Sequence, residues 1–255
     1  MKRMPMLFVG HGSPMNAIEE NQFSEQWRQL GKQIARPKAI LSISAHWYTQ
    51  GSRVTDAPEP KMVYDMYGFP DELYQVLYNP PGSPHFATVT KELLGGLAEV
   101  DNSWGLDHGS WAVLNRIFPD AEIPVFQLSV DRKASAEDCF AIGRKLCALR
   151  EQGVLIFGSG NVVHNLRKVD WQLDGGYPWA EEFDNYIKEN ILKRNFENVV
   201  HFEKAGESAA LSVPMMDHFA PLLYVLGAAN DTDEITVFND ACVLGGLSMT
   251  GYLLE

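Results

Sequence analysis

Seven histidines occur in this 255-residue chain, and five of them stand where chemistry is possible. His11 lies between two glycines in "LFVGHGSPMN", at the end of an apolar run. His46 ends a second apolar run, "AILSISAHWYT", and His164 follows a third in "FGSGNVVHN". His108 sits in "GLDHGSW" and His218 in "MMDHFAPLLYVLGA". Imidazole suits two tasks: it ligates transition metals as a neutral base, and it moves protons near neutral pH. The glycines beside His11 permit positive φ and close approach of backbone to a ligand. Open α/β sheets bind ligands beyond the carboxyl ends of their strands. His11 and His46 are therefore candidate metal ligands, with His164 a third strand-exit histidine. Asp107 is a carboxylate placed to orient His108. Pro221 suits a first helical turn, so His218 falls just before a helix or in its opening turn. The plainer alternative is that each histidine caps its own turn. That plainer reading is preferred for His85 and His201. No nucleophile competes: Ser13 and Ser159 lack a G-x-S-x-G setting, and Gly158–Gly160 lack the lysine and spacing of a P-loop.

Positioning such residues requires strands that end together. Short apolar runs at Met6–Gly10, Ala39–Ser44, Ile123–Val130, Val154–Gly158 and Glu234–Asn239 predict buried strands. Between them, Trp27, Leu30 and Ile34 recur at helical spacing. The stretch "SAEDCFAIGRKLCALREQG" predicts a helix: Ser135 and Asp138 form a capping box, Ile142, Leu146 and Leu149 a buried stripe, and Gly153 a stop. Alternating strands and helices predict an α/β fold, a single domain over 1–255 with a central mixed, largely parallel sheet flanked by helices. Two aromatic loops interrupt the pattern, Thr55–Pro84 and Asp170–Trp179. Trp104, Tyr177 and Trp179 are candidates to wall a flat pocket, and Arg167 is a candidate for a substrate carboxylate.

The net charge of −12 opposes a nucleic-acid function, which needs a basic footprint. Three cysteines without a CxxC pattern predict neither a disulfide framework nor a zinc–cysteine site. The start "MKRMPMLFVGHGS" carries no signal-peptide pattern, and no apolar run is long enough to span a bilayer. No membrane partner is expected, and the cytoplasm is the expected compartment. The sequence sets no oligomeric state.

The motifs "GHGSPMN", "SAHW", "WGLDHGSW", "PVFQLSV", "SGNVVHNL" and "PLLYVLGA", in this order over nearly the whole chain, resemble those of the class III extradiol ring-cleavage dioxygenases. The DOPA 4,5-dioxygenase-like branch is the most similar. The resemblance implies one divalent metal per chain. It makes His11, His46 and His218 ligands, and gives His164 a place at the metal as additional ligand, acid/base, or both. It makes His108 a second catalytic histidine that contacts substrate or O₂. The better-known branch of the class uses two histidines and a glutamate. Here the third position is histidine, an uncharged set that accepts Zn(II) as well as Fe(II). Fe(II) is the expected metal for ring cleavage and Zn(II) a plausible bound species. The expected activity is cleavage of a catechol, DOPA-like or caffeate-like, with O₂. Two alternatives stand beside it: a zinc-dependent hydrolase, and a non-catalytic binding module on the same fold.

Overall fold

The computed structural model describes residues 3–255. Six strands form the central sheet: β1 Met6–Gly10, β2 Ala39–Ser44, β3 Val125–Gln127, β4 Val154–Gly160, β5 Ile235–Phe238 and β6 Gly251–Leu254. Their order is β3-β2-β4-β1-β6-β5. The first four are mutually parallel, and β6 runs antiparallel to both β1 and β5. Eight α-helices occur among the described residues: α1 Gln22–Gln33, α2 Pro84–Leu94, α3 His108–Ile117, α4 Ala136–Glu151, α5 Pro178–Leu192, α6 Phe196–Val200, α7 Glu207–Ser212 and α8 Ala220–Gly227. The result is a single-domain α/β structure, as the alternation of elements implies.

The inner strands read as continuous apolar runs because both of their faces are covered. Met6, Phe8, Leu41, Ile43 and Ile156 face one cluster, which includes Leu146 of α4 and Leu222 and Val225 of α8. Leu7, Val9, Ile40, Leu155 and Phe157 face the other, with Trp27 and Leu30 of α1 and Trp111 and Leu114 of α3. Helix α4 has the predicted Ser135–Asp138 capping box, and Gly153 follows it at φ 94°.

The strands differ from the sequence reading in four places, the smallest at β5, which is one residue shorter at each end than the predicted Glu234–Asn239. The run Ile123–Val130 divides: β3 ends at Gln127, and Val130–Asp131 pairs separately with Tyr48–Thr49. Leu128 N–H still bonds Ser42 of β2 as a last rung, but Ser129 N–H turns away to Arg53. Strand β4 runs two residues further, to Gly160, because Ser159 and Gly160 still pair with Val9 and Gly10. Strand β6 was not read at all, although it fills the position between β1 and β5. All three cysteines are free thiols. Among the described residues no helix is long and apolar enough to cross a membrane; Met1 and Lys2 of the basic start lie outside them.

Candidate metal centre and active-site cavity

The carboxyl ends of β1, β2 and β4 converge, and their register decides what meets there. Ser159 of β4 pairs with Val9 of β1 on one side and Ser44 of β2 on the other. His11 and His46 thus leave the two strands that flank β4 at nearly the same level. Gly12 turns the chain away at φ 60°. The His11 N–H still bonds the Gly160 carbonyl at 3.0 Å, which keeps the residue tied to the sheet. His218 arrives from the turn before α8. That turn lies directly on the end of β4: a Cβ at Gly160 would fall 2.1 Å from the His218 carbonyl oxygen. The Asn161 N–H bonds the same oxygen at 2.9 Å.

Three histidines from distant parts of the chain, His11, His46 and His218, meet as a triangle. Their ring centres are 4.8 Å apart for His11–His46, 5.3 Å for His11–His218 and 5.2 Å for His46–His218. One candidate ligand nitrogen from each lies within 4.8 Å of the others. Imidazoles bound at about 2.0–2.1 Å to one tetrahedral ion have ring centres separated by roughly 5 Å. Spacing and donor type therefore fit a single divalent ion.

His108 stacks on His46 with ring centres 4.1 Å apart. His164 lies parallel to His218 with centres only 3.4 Å apart. Neither joins the triangle. Instead each completes a flanking group with a carboxylate, His46–Asp65–His108 on one side and His164–Asp217–His218 on the other. His85, in the first turn of α2, and His201, after α6, lie outside the cluster.

The carboxylates order these rings. Asp107 is fully buried, N-caps α3, and accepts bonds from Ser44 Oγ at 2.6 Å and Trp104 Nε1 at 3.0 Å. It faces His46 Nδ1 at 3.5 Å, and among the described residues no side-chain hydrogen bond or ion pair joins it to its own neighbour His108. The carboxylate on His108 is Asp65, which accepts from both the backbone N–H and Nδ1 of His108 at 2.9 Å. The other Asp65 oxygen is 3.3 Å from His46 Nδ1. Asp217 Oδ1 lies 3.1 Å from His218 Nδ1. The expected pairing of Asp107 with His108 is thus replaced: capping the helix turns Asp107 inward, beneath His46. Asp65 escaped sequence reading because it sits in the irregular Thr55–Pro84 loop, with no periodic pattern around it.

Burial, helped by the neighbouring imidazoles, holds the pKa of His11 well below the usual histidine range, and the same causes act on His218. Burial brings His164 down to about 4. For His46 burial also lowers the pKa, but contacts with Asp107, Asp65 and Asp217 outweigh it and the net shift is upward. The Asp107 pKa would be raised by burial, but contacts with His46, Ser44 and Trp104 prevail and hold it below the ordinary range. A neutral imidazole is the ligating form. The nearby carboxylates supply the negative charge that an all-histidine set lacks.

All five histidines line one cavity of about 410 Å³, a volume within the range of small-molecule sites. Its apolar walls are Met66, Phe69, Leu166, Trp171 and Leu247. The expected aromatic walls are not among its lining. Trp104 is committed to Asp107, and Tyr177 stacks on Trp179 at 5.9 Å. Trp171, from the same Asp170–Trp179 loop, takes that place. A second cavity of about 370 Å³ shares His164, Leu166 and His218 with the first and adds Arg167, Met215 and Asp217.

The description "catalytic LigB subunit of aromatic ring-opening dioxygenase" matches residues 5–253. The chain is 45% identical over 253 residues to the 4,5-DOPA dioxygenase extradiol of Escherichia coli (strain K12), covering 97% of this chain and 93% of that one. It is 36% identical to the protein of the same name from Beta vulgaris, covering 96% and 94%. The crystal structure of an uncharacterized protein from Escherichia coli K12 superposes with a TM-score of 0.87 at 42% identity, over 99% of this chain and 100% of that one. Sequence, fold and cavity agree from end to end, and the chain belongs to the LigB family of aromatic ring-opening dioxygenases, among its extradiol ring-cleavage enzymes.

Proposed function

We propose that this enzyme holds one divalent metal ion through His11, His46 and His218, and opens the ring of a catechol beside its two hydroxyls by inserting both atoms of O₂. The observation that carries this reading is the triangle of rings at 4.8–5.3 Å, with two further histidines lining the same cavity. The curated relatives are named for DOPA, a catechol with an amino-acid side chain. A catechol carrying a carboxylate, DOPA-like or caffeate-like, is the proposed substrate class. Fe(II) held by these three histidines would supply the redox chemistry between a catechol and O₂ that Zn(II) lacks.

The chain's own residues do the rest. Apolar walls from Met66, Phe69, Leu166 and Trp171 take the faces of the ring and limit water. His164 lines the cavity beside the triangle, where it accepts a catechol hydroxyl proton and returns it to the product oxygen. This role suits its place beside the triangle better than ligation does. His108, oriented by Asp65, presents the rest of its ring to the cavity as the second proton-handling group. Arg167, in the adjoining cavity, takes the substrate carboxylate.

Turnover of DOPA under isotopically heavy O₂ tests the reading. Both heavy atoms should appear in the ring-opened product. Arg167→Gln should raise KM for DOPA about tenfold, a modest loss for one charge-assisted contact, and leave KM for unsubstituted catechol unchanged. A product labelled only from water would establish hydrolysis and reject ring cleavage.

A further inference from the structure

Ser159 is fully buried and has no part in the reaction as described. Its hydroxyl lies 2.6 Å from the Gly109 carbonyl oxygen and 3.0 Å from His11 Nδ1. A carbonyl oxygen only accepts, so the single hydroxyl proton of Ser159 points at Gly109. The oxygen that faces His11 is then an acceptor, and His11 Nδ1 must carry a proton. A neutral imidazole has one proton, so the free lone pair of His11 is on Nε2. The same ring enters the triangle.

The other two corners differ in what faces Nδ1. Their Nδ1 atoms are buried and form no hydrogen bond among the described residues, although carboxylates stand nearby. Of the three triangle histidines, His11 has the one tautomer dictated by a formed hydrogen bond. The Gly109 carbonyl belongs to the residue after His108, at the start of α3. One hydroxyl therefore links β4, the triangle and the helix that carries the second catalytic histidine. No Cβ stands in the way: at Gly109 it would fall 2.8 Å from Ser44 Oγ and 3.1 Å from His46 Nδ1.

We propose that Ser159 is a positioning residue that accepts a hydrogen bond from the Nδ1–H of His11, donates its own to the Gly109 carbonyl, and so fixes Nε2 of His11 as the metal-facing nitrogen. This rests on the metal reading of the triangle, but its first test needs neither metal nor substrate. Nitrogen-15 spectra of the metal-free full chain, with His11 assigned by its absence in His11→Asn, report which ring nitrogen is protonated. We expect Nδ1–H in the native chain and a mixture of tautomers in Ser159→Ala. Zinc affinity, read by competition with a chromogenic chelator, should fall about 10–100-fold in Ser159→Ala, the usual loss for an outer partner of a ligating histidine. Ser159→Thr, which keeps the hydroxyl, should restore both. An Nε2–H tautomer in the native chain overturns the proposal without any variant. Native zinc affinity in a folded Ser159→Ala overturns it as well. Failure of the native chain to bind zinc or ferrous ion at all would instead reject the metal reading beneath it.

Discussion

His218 and His164 lie ring against ring, yet they should fail differently when altered. His218→Ala removes a corner of the triangle, and metal affinity should fall by more than about 100-fold, beyond the loss typical of an outer-shell partner. His164→Gln should keep the metal and lose about 10²–10⁴-fold in kcat, the usual contribution of a positioned acid/base. Chelator competition and oxygen uptake, measured on both variants, separate the two. Equal loss of metal from both would make His164 a ligand. Asp65→Ala should cost about 10–100-fold in kcat by releasing the His108 ring, with the fold intact. Retention of full turnover would remove Asp65 from the site. At this scale the sequence spoke unevenly. The five histidines were legible because glycine, aspartate and strand ends surround them. Asp65 was not, because its partner His108 is 43 residues away and only the folded loop joins them. Ser159 lacks the setting of a nucleophile, and no local pattern marks its other use; its hydrogen bonds exist only once β1, β4 and α3 are packed together.

The elements hold the site through close backbone approach. At Gly160 an added Cβ would meet the His218 carbonyl at 2.1 Å, and at Gly143 the Tyr224 carbonyl at 2.2 Å. Gly143 lets α4 lie against α8, the helix that follows His218. Overpacking of this kind costs typically about 1–3 kcal/mol. Gly143→Ala should lower stability by that amount, whereas Gly160→Ala should also weaken metal binding by shifting His218. Calorimetry with a zinc titration of each variant checks the contrast; unchanged zinc affinity in Gly160→Ala would show that the turn relaxes freely. The same scale explains what sequence patterning missed. The Ser135 cap and the buried runs of β1, β2 and β4 are local signals, and they were legible. Strand β6 has four residues at the end of the chain, and its place between β1 and β5 is set only by non-local pairing. The aromatics expected as pocket walls, Trp104, Tyr177 and Trp179, do not line the cavity: Tyr177 and Trp179 stack on each other, and Trp171 of the same loop faces it instead.

Across the whole molecule, one buried ion pair ties the amino-terminal segment, α4 and the turn before β5. Arg150 is 1% exposed and binds Asp233 through two bonds, at 2.7 and 2.8 Å, as well as the Met4 and Ala228 carbonyls. Burial alone would raise the Asp233 pKa, but Arg150 and the Asn230 N–H prevail and lower it. A carboxylate whose folded pKa is depressed contributes stability above its unfolded value, and that contribution is lost as pH falls through the folded value. Asp233→Asn should therefore destabilise the fold by about 3–5 kcal/mol at neutral pH, by stranding a buried guanidinium, and the deficit should shrink in acid below the ordinary carboxylate pKa. Urea titrations at several pH values would show this; a deficit independent of pH would assign the loss to packing. The central claim is chemical: a three-histidine metal centre opens a catechol ring with O₂. The most direct measurement is oxygen uptake with DOPA after metal removal and anaerobic reloading, with Fe(II) in one sample and Zn(II) in the other. Stoichiometric uptake with a new visible absorbance in the iron sample, and none in the zinc sample, is the result expected. Equal turnover with zinc, or none with Fe(II) shown to be bound, would contradict it.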